Sequence, residues 1–202
     1  MAMPALKTLR GLSVLIVHQP DEAGQMLMEH IKRIGCRAEA QWPIPKSIPD
    51  AFDALFLSID HEHRSDLSRL AKTMDGIPPT IVAIVDYEDP STLEMLFEVG
   101  ALAAMERPIR PFGVLTNLLL ARGLWIERIE DRKRLNKIQR KLSGMQRIQK
   151  AKSILMTIQS ISEDDAYQSI RQQAMSKRVP MDEIATSIIN ANELLHSSQK
   201  GV

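Results

Sequence analysis

Cysteine is nearly absent from this sequence, with Cys36 the single one in 202 residues. One thiol closes no internal disulfide and cannot build a multi-cysteine zinc site. Long apolar runs are also missing. The longest, such as 14–17 and 81–85, are far too short to span a bilayer. Residues 1–11 lack the apolar core of a signal peptide, so the expected compartment is the cytoplasm, with no membrane partner. Net charge is nearly lacking too, at +1. On net charge alone, a chain so close to neutral is a poor partner for nucleic acid. What remains, 44% hydrophobic and 25% charged residues, is the composition of an ordinary folded protein of one or two domains.

The small net charge hides a division along the chain. Residues 1–121 hold 11 basic and 16 acidic residues, a net of −5. Residues 122–152 hold 11 basic and three acidic ones, a net of +8. Residues 153–202 hold four basic and six acidic ones, a net of −2. A block of +8 beside a domain of −5 points toward a polyanion or an acidic partner surface. The same block also fits the solvated outside of a long helix.

The first 120 residues alternate strand and helix signals. Leu12–Val17 is a continuous apolar run suited to a buried parallel strand. Ala23, Met26, Leu27, His30, Ile31 and Ile34 make a helical stripe that stops at Gly35. Cys36, Ala38, Ala40 and Trp42 alternate as in a second strand, and the prolines at 43, 45 and 49 leave little room for a helix after it. Further strands are expected at 54–59, 81–85 and 101–105, with helices between them and another opening at Pro111. This spacing predicts a doubly wound, flavodoxin-like α/β domain with strand order 2-1-3-4-5 and any site at the carboxyl ends of the strands.

At those ends the chain resembles a response-regulator receiver domain. The resemblance rests on VLIV at 14–17, DALFLSI at 53–59, PTIVAIV at 79–85 and GALAAMERP at 100–108. It implies an acidic pair after strand 1, a phosphoacceptor Asp ending strand 3, a Ser/Thr after strand 4 and a Lys before a proline after strand 5. Here those places hold His18 and Gln19, Ser58, Val85 and Arg107. His18 and Gln19 offer Mg²⁺ no carboxylate. A serine cannot form an acyl phosphate, and Arg107 is not a compact ammonium. The reading is a degenerate phosphorylation site, a pseudo-receiver. A shifted acidic site of Asp21, Glu22 and Asp60 is the alternative.

Neither a metal nor another cofactor is expected. Asp60, His61, Glu62 and His63 lie close together, but a zinc site needs three or four converging ligands, and a polar loop after strand 3 accounts for them. Cys36 has no neighbouring base in the sequence and reads as a small core residue.

From Phe112 to about Gln159 there is no proline. Leu135, Ile138, Leu142 and Met145 follow the 3-4-3 spacing of a coiled-coil seam, while Trp125, Ile126 and Ile129 fit only with a break in register. A narrow apolar stripe on an otherwise basic helix predicts a parallel homodimer. The competing reading is one amphipathic helix packed on its own domain. Beyond it, Gln159-Ser160-Ile161 forms a turn and Ser162 caps a helix with Asp165 three residues on. Ala166, Ile170 and Ala174 face inward, Tyr167 reads either as part of that stripe or as a contact residue, and Met175 reads as a packing residue. Val179-Pro180 ends that helix, and a last one buries Ile184, Ala185, Ile188 and Ile189.

This segment resembles the ANTAR RNA-binding domain through AK at 151–152, LM at 155–156, IS at 161–162, AY at 166–167, IR at 170–171, AM at 174–175 and IA at 184–185. With RIGC at 33–36 and YEDP at 87–90, the whole layout is similar to the AmiR-type transcription antiterminators. That resemblance implies a pseudo-receiver at 1–122, a coiled-coil dimerisation helix at 123–150, a three-helix ANTAR domain at 151–196 and a disordered tail at 197–202. It also implies binding to leader mRNA hairpins, and silencing by a cytoplasmic ligand sensor with a periplasmic-binding-protein fold. Tyr167 and Arg171, four apart on a helix, suit stacking on splayed bases. Lys152, Lys177 and Arg178 suit phosphates, and Ala174 suits close approach of the RNA. Two other readings stay open: a DNA-binding response regulator and a non-catalytic signalling scaffold. The last helix, Met181–Leu195, has no Lys or Arg, which counts against a DNA recognition helix. No acid–base or nucleophile set emerges, so an enzyme is not expected.

Overall fold

A computed structural model of the chain describes residues 9–74, 76–86 and 89–197. The YEDP motif therefore lies partly, and the expected tail beyond Ser197 wholly, outside the described residues. The chain forms two compact units, residues 1–130 and 131–202.

The first unit is built on five parallel strands in the order β2-β1-β3-β4-β5. They are β1 (Ser13–Val17), β2 (Arg37–Gln41), β3 (Ala54–Ile59), β4 (Thr80–Val85) and β5 (Ala103–Glu106). The register sets Val14 beside Ala54, Ala54 beside Thr80 and Val82 beside Ala103. Successive strand residues point to opposite faces, and here both faces are apolar. Val14, Ile16, Phe56, Val82 and Ile84 pack with Leu27 and Ile31 of α1 (Glu22–Ile34) and with Val114 and Leu118 of α4 (Pro111–Gln159). Leu15, Val17, Leu55, Leu57, Ile81 and Ala83 pack with Leu67 and Leu70 of α2 (Arg64–Thr73) and with Met95 of α3 (Pro90–Glu98). Two covered faces are the reason these strands are continuous apolar runs and not alternating ones.

Local chemistry sets the helix ends. The Asp21 side chain accepts from Gly24 N, and Gly35 closes α1 at φ 98° with its N–H on the Ile31 and Lys32 carbonyls. Asp89 caps α3, accepting from Ser91 N and Thr92 N, with Pro90 in the first turn. These bonds, chiefly those from Thr92, hold the Asp89 carboxyl well below the usual carboxylate range. No helix forms between β2 and β3. Instead Trp42, Ile44, Ile48 and Phe52 of that connection lie against the second core. One inward position differs from the expected stripe. Met26 is 41% exposed, and Met28 packs partly on the first core. Both sit about 100° from Leu27, at opposite margins of the buried stripe.

In the second unit the C-terminal part of α4 packs with α5 (Glu163–Lys177) and α6 (Met181–Ser197). Ala151 and Leu155, Ala166, Ile170 and Ala174, and Ile184, Ala185 and Ile189 form its small core. Ser162 caps α5: its Oγ accepts from Asp165 N at 3.2 Å and donates to Asp165 Oδ2 at 2.7 Å. Three acidic residues in the first turn of α5 face its positive end. Arg178 closes it in the left-handed region at φ 55°. Ion pairs tie the helices together: Arg147 to Asp182 at 2.9 Å, Lys150 to Glu193 at 2.9 Å and Lys152 to Glu163 at 2.5 Å.

Candidate functional site

Each unit carries one cluster of functional interest. In the first, the carboxyl ends of β1, β3 and β5 bring His18, Ser58 and Arg107 together, although 49 and 89 residues separate Arg107 from its two partners. Arg107 Nη2 donates to Ser58 Oγ at 2.9 Å and to His18 Nε2 at 2.9 Å. Its Nη1 lies 3.0 Å from Asp86 Oδ1. A guanidinium only donates, so His18 Nε2 accepts and the ring proton sits on Nδ1. That proton is shared between the Gln19 carbonyl at 2.8 Å and Asp21 Oδ1 at 3.3 Å. His18 is 3% exposed and Ser58 2%. Arg107 is thus a cation held in a ring of protein groups.

Not every residue of the expected degenerate site joins this ring. Gln19 contributes its backbone carbonyl. Val85 stands apart, because its side chain is buried in the core on the α2–α3 face. The neighbour that meets Arg107 is Asp86, directly after β4, which the strand-end comparison passes over. The alternative acidic cluster does not assemble either. Asp21 caps α1, and Asp60 accepts from the backbone and ring of His63 at 2.9 and 2.7 Å. Among the described residues no three or more His, Cys, Asp or Glu are grouped to hold a metal ion. Gly24 is required where α1 meets this rim: a Cβ there would lie 2.9 Å from the Gln19 carbonyl oxygen and 3.0 Å from His18 Nδ1.

Cys36 is buried, and its Sγ donates to the Leu9 carbonyl at 3.2 Å. Burial and, to a lesser degree, Asp53 push its thiol up, the opposite of what a nucleophile needs. Trp125, which breaks the seam register, donates from Nε1 to the Pro78 carbonyl at 2.7 Å and lies under the Arg122 guanidinium at 4.3 Å. It belongs to the first unit's packing, not to a seam.

The second cluster lies on α5. Its inner stripe is core, with Ala174 5% exposed, so this side chain faces the helices. The outer face carries Tyr167 at 40% exposure and Met175 at 69%, with Arg171, Lys177 and Arg178 also exposed. Tyr167, Arg171 and Met175 follow i, i+4, i+8 and share one face, and Arg178 stands at the end of the helix as its left-handed cap. Met175 was missed as an outer residue, and the same spacing is the signal that finds it. Lys152 is placed differently from the other cations. Its side chain is 14% exposed and engages Glu163, whose carboxyl this contact holds below its ordinary value. The seam residues Leu135, Ile138, Leu142 and Met145 are 65%, 62%, 54% and 68% exposed in the single chain.

Comparison with known proteins fits this division. The family model described as "AmiR, N-terminal" matches residues 12–122, and the ANTAR domain model matches residues 136–189. The aliphatic amidase regulator of Pseudomonas aeruginosa is 31% identical over 186 residues, covering 91% of this chain and 94% of that protein. The chain belongs to the AmiR family. It is a regulator whose receiver-like domain is followed by an ANTAR domain. A nitrate regulatory protein of Klebsiella oxytoca is 42% identical over 53 residues, 26% of this chain and 13% of that protein. Among solved structures, the response regulator StyR matches with a TM-score of 0.57 at 17% identity, covering 89% of this chain and 98% of that one; this likeness speaks for the fold alone. Among the described residues of this family member, no helix is long and apolar enough to cross a membrane.

Replacing Arg107 by Ala removes the donor to two buried acceptors. The expected loss is about 1–3 kcal/mol of stability, read from denaturant unfolding. Arg107→Lys should recover only part of it, because one ammonium cannot reproduce the guanidinium fork. An unchanged unfolding midpoint in Arg107→Ala would show that the ring is not structural.

Proposed function

We propose that this chain is a cytoplasmic, dimeric RNA-binding transcription antiterminator acting on hairpins in a leader mRNA. In this reading it is not an enzyme. It is silenced by contact with a ligand-sensing partner of periplasmic-binding-protein fold, not by aspartyl phosphorylation. The observation that carries the reading is the outer face of α5, where an aromatic ring and guanidinium groups stand in line on a helix whose other face is core. Splayed loop bases stack on such planes and are read along their edges, which is how proteins recognise RNA loops in sequence. Tyr167 and Arg171 take that role. Lys177 and Arg178, at the C-terminal end of the helix, hold phosphates. Lys152 serves indirectly, by pinning Glu163 at the start of α5. Ala174 sets how closely α5 packs on its neighbours, and so where the outer face stands.

The exposed seam supports pairing of two chains. Four large apolar side chains at 3-4-3 spacing, each more than half exposed, are a costly surface for a lone helix and an ordinary one for a coiled coil. The filled rim of the first unit supports control by protein contact. Arg107 already neutralises Asp86 and donates to Ser58 and His18, so a cation of the protein stands where receiver phosphorylation chemistry would need carboxylates.

Three measurements test the reading. Selection from a pool of RNA hairpins with a constant stem and a randomised loop should enrich particular loops, and Arg171→Ala should weaken binding to them about tenfold while leaving the fold intact. No enrichment by the wild type rejects sequence-directed recognition. Sedimentation of Leu135→Asp or Leu142→Asp should give monomers; persistent dimers refute this seam. Incubation with acetyl phosphate or phosphoramidate and Mg²⁺ should leave the intact mass unchanged, and a phospho-adduct overturns the pseudo-receiver assignment.

A further inference from the structure

From residue 132 to residue 162 the sequence contains no acidic residue. Apart from Arg132 and Arg134, its basic residues fall into two groups. Arg147, Lys150 and Lys152 are each matched by a carboxylate of α5 or α6. Lys133, Lys137, Arg140 and Lys141, about two to four turns before Arg147, stand on the fully exposed stretch of α4, and no ion pair among the described residues engages them. Carboxylates of α5 and α6 thus neutralise Arg147, Lys150 and Lys152, and on the uncovered stretch Arg134 pairs with Asp131 while Lys133, Lys137, Arg140 and Lys141 keep their charge unpaired among the described residues.

The positions of these cations are fixed by the seam. With Leu135 and Leu142 at a, and Ile138 and Met145 at d, Lys133, Lys137 and Arg140 occupy f, c and f. These are outer positions, directed away from a partner helix. They are spaced i, i+4, i+7, one stripe about 10 Å long at 1.5 Å per residue. Arg147, the next f position, continues the stripe and is the first to be capped, by Asp182. The seam itself does not need the stripe for pairing. In a parallel pair Arg134 at g faces Gln139 at e, and Lys141 at g faces Gln146 at e, so no cation meets a cation.

We infer that the Lys133–Lys137–Arg140 stripe is a second RNA contact, one that grips the sugar–phosphate backbone of the hairpin stem regardless of sequence. It rests on the RNA-binding reading above and adds a division of labour: α5 reads the loop, and the outer face of α4 holds the backbone. Backbone contacts of this kind fix register and contribute affinity without information, and they weaken steeply with salt. Rows of cations with no carboxylate among them suit a polyanion better than a mixed protein surface.

The test compares the full-length wild type with the triple variant Lys133→Gln, Lys137→Gln, Arg140→Gln, using the same hairpin pool at several salt concentrations. The triple variant should select the same loops, bind every hairpin about tenfold more weakly near 0.15 M salt, and make the negative slope of log affinity against log salt shallower by about 2–3 for three lost contacts. The charge-preserving variant Lys133→Arg, Lys137→Arg, Arg140→Lys should keep the wild-type slope. Sedimentation and circular dichroism should show both variants dimeric and helical, since the substituted positions lie off the seam. Unchanged affinity and slope in the triple variant, with loop selection intact, overturns the stripe alone and points to an acidic protein surface as its partner. If the wild type selects no loop, the loop-reading proposal falls. The slope comparison on the constant stem then still decides the stripe.

Discussion

A sheet whose central strands are apolar on both faces has only one place for polar chemistry, the rim where the strands end. In this chain β1, β3 and β4 are buried almost throughout, and their side chains alternate strictly between two cores. A charged group in the body of such a strand would face one core or the other and meet a desolvation cost of several kcal/mol. His18, Asp86 and Arg107 therefore stand just past the carboxyl ends of their strands and Ser58 one residue before the end of β3, while Asp53, Thr80 and Arg122 form the polar cluster at the opposite rim. The same constraint explains why Val85, still within β4, is core while Asp86, one residue on, is available to Arg107.

Once Arg107 stands at that rim, the rest of the cluster follows. A guanidinium cannot be deprotonated, so it requires acceptors, and the ring provides three: a hydroxyl, an imidazole nitrogen and a carboxylate. The imidazole can accept only with its proton on the other nitrogen. That proton needs an acceptor of its own, which the Gln19 carbonyl supplies. Gly24 in turn lets α1 approach that carbonyl. Substitutions that look independent in sequence are parts of one hydrogen-bonded arrangement.

Much of this fold is legible in the sequence because its signals are local. Strand lengths follow from apolar runs, helix ends from Asp21, Gly35, Asp89 and Ser162, and strand order from the alternation of elements. The relations that stayed hidden are those between distant residues. Nothing near Arg107 indicates that it reaches Ser58 and His18, and nothing near Lys152 indicates that Glu163 engages it. Trp125 shows the same limit. Its spacing marks a break in the seam, but the cause is a hydrogen bond to Pro78, 47 residues away. Met175 is a milder case. An apolar side chain on a short helix reads as packing until the stripe of Ala166, Ile170 and Ala174 shows which face is already filled.

The charge division gains a physical meaning from the second unit. A chain with six cations between residues 132 and 141 faces self-repulsion that opposes pairing along the same helix. Two features relieve it. The a and d positions are apolar and the e positions opposite Arg134 and Lys141 are glutamines, so the proposed parallel seam brings no two cations into register. An antiparallel pair would align g with g, setting Arg134 and Lys141 against their own kind, so the charge pattern selects orientation as well as partner. Further along α4, where α5 and α6 pack on it, carboxylates of the same chain neutralise the cations. The net charge of +1 is then the sum of an acidic sheet domain, a basic stretch of α4 and a helical domain whose carboxylates neutralise the end of that stretch.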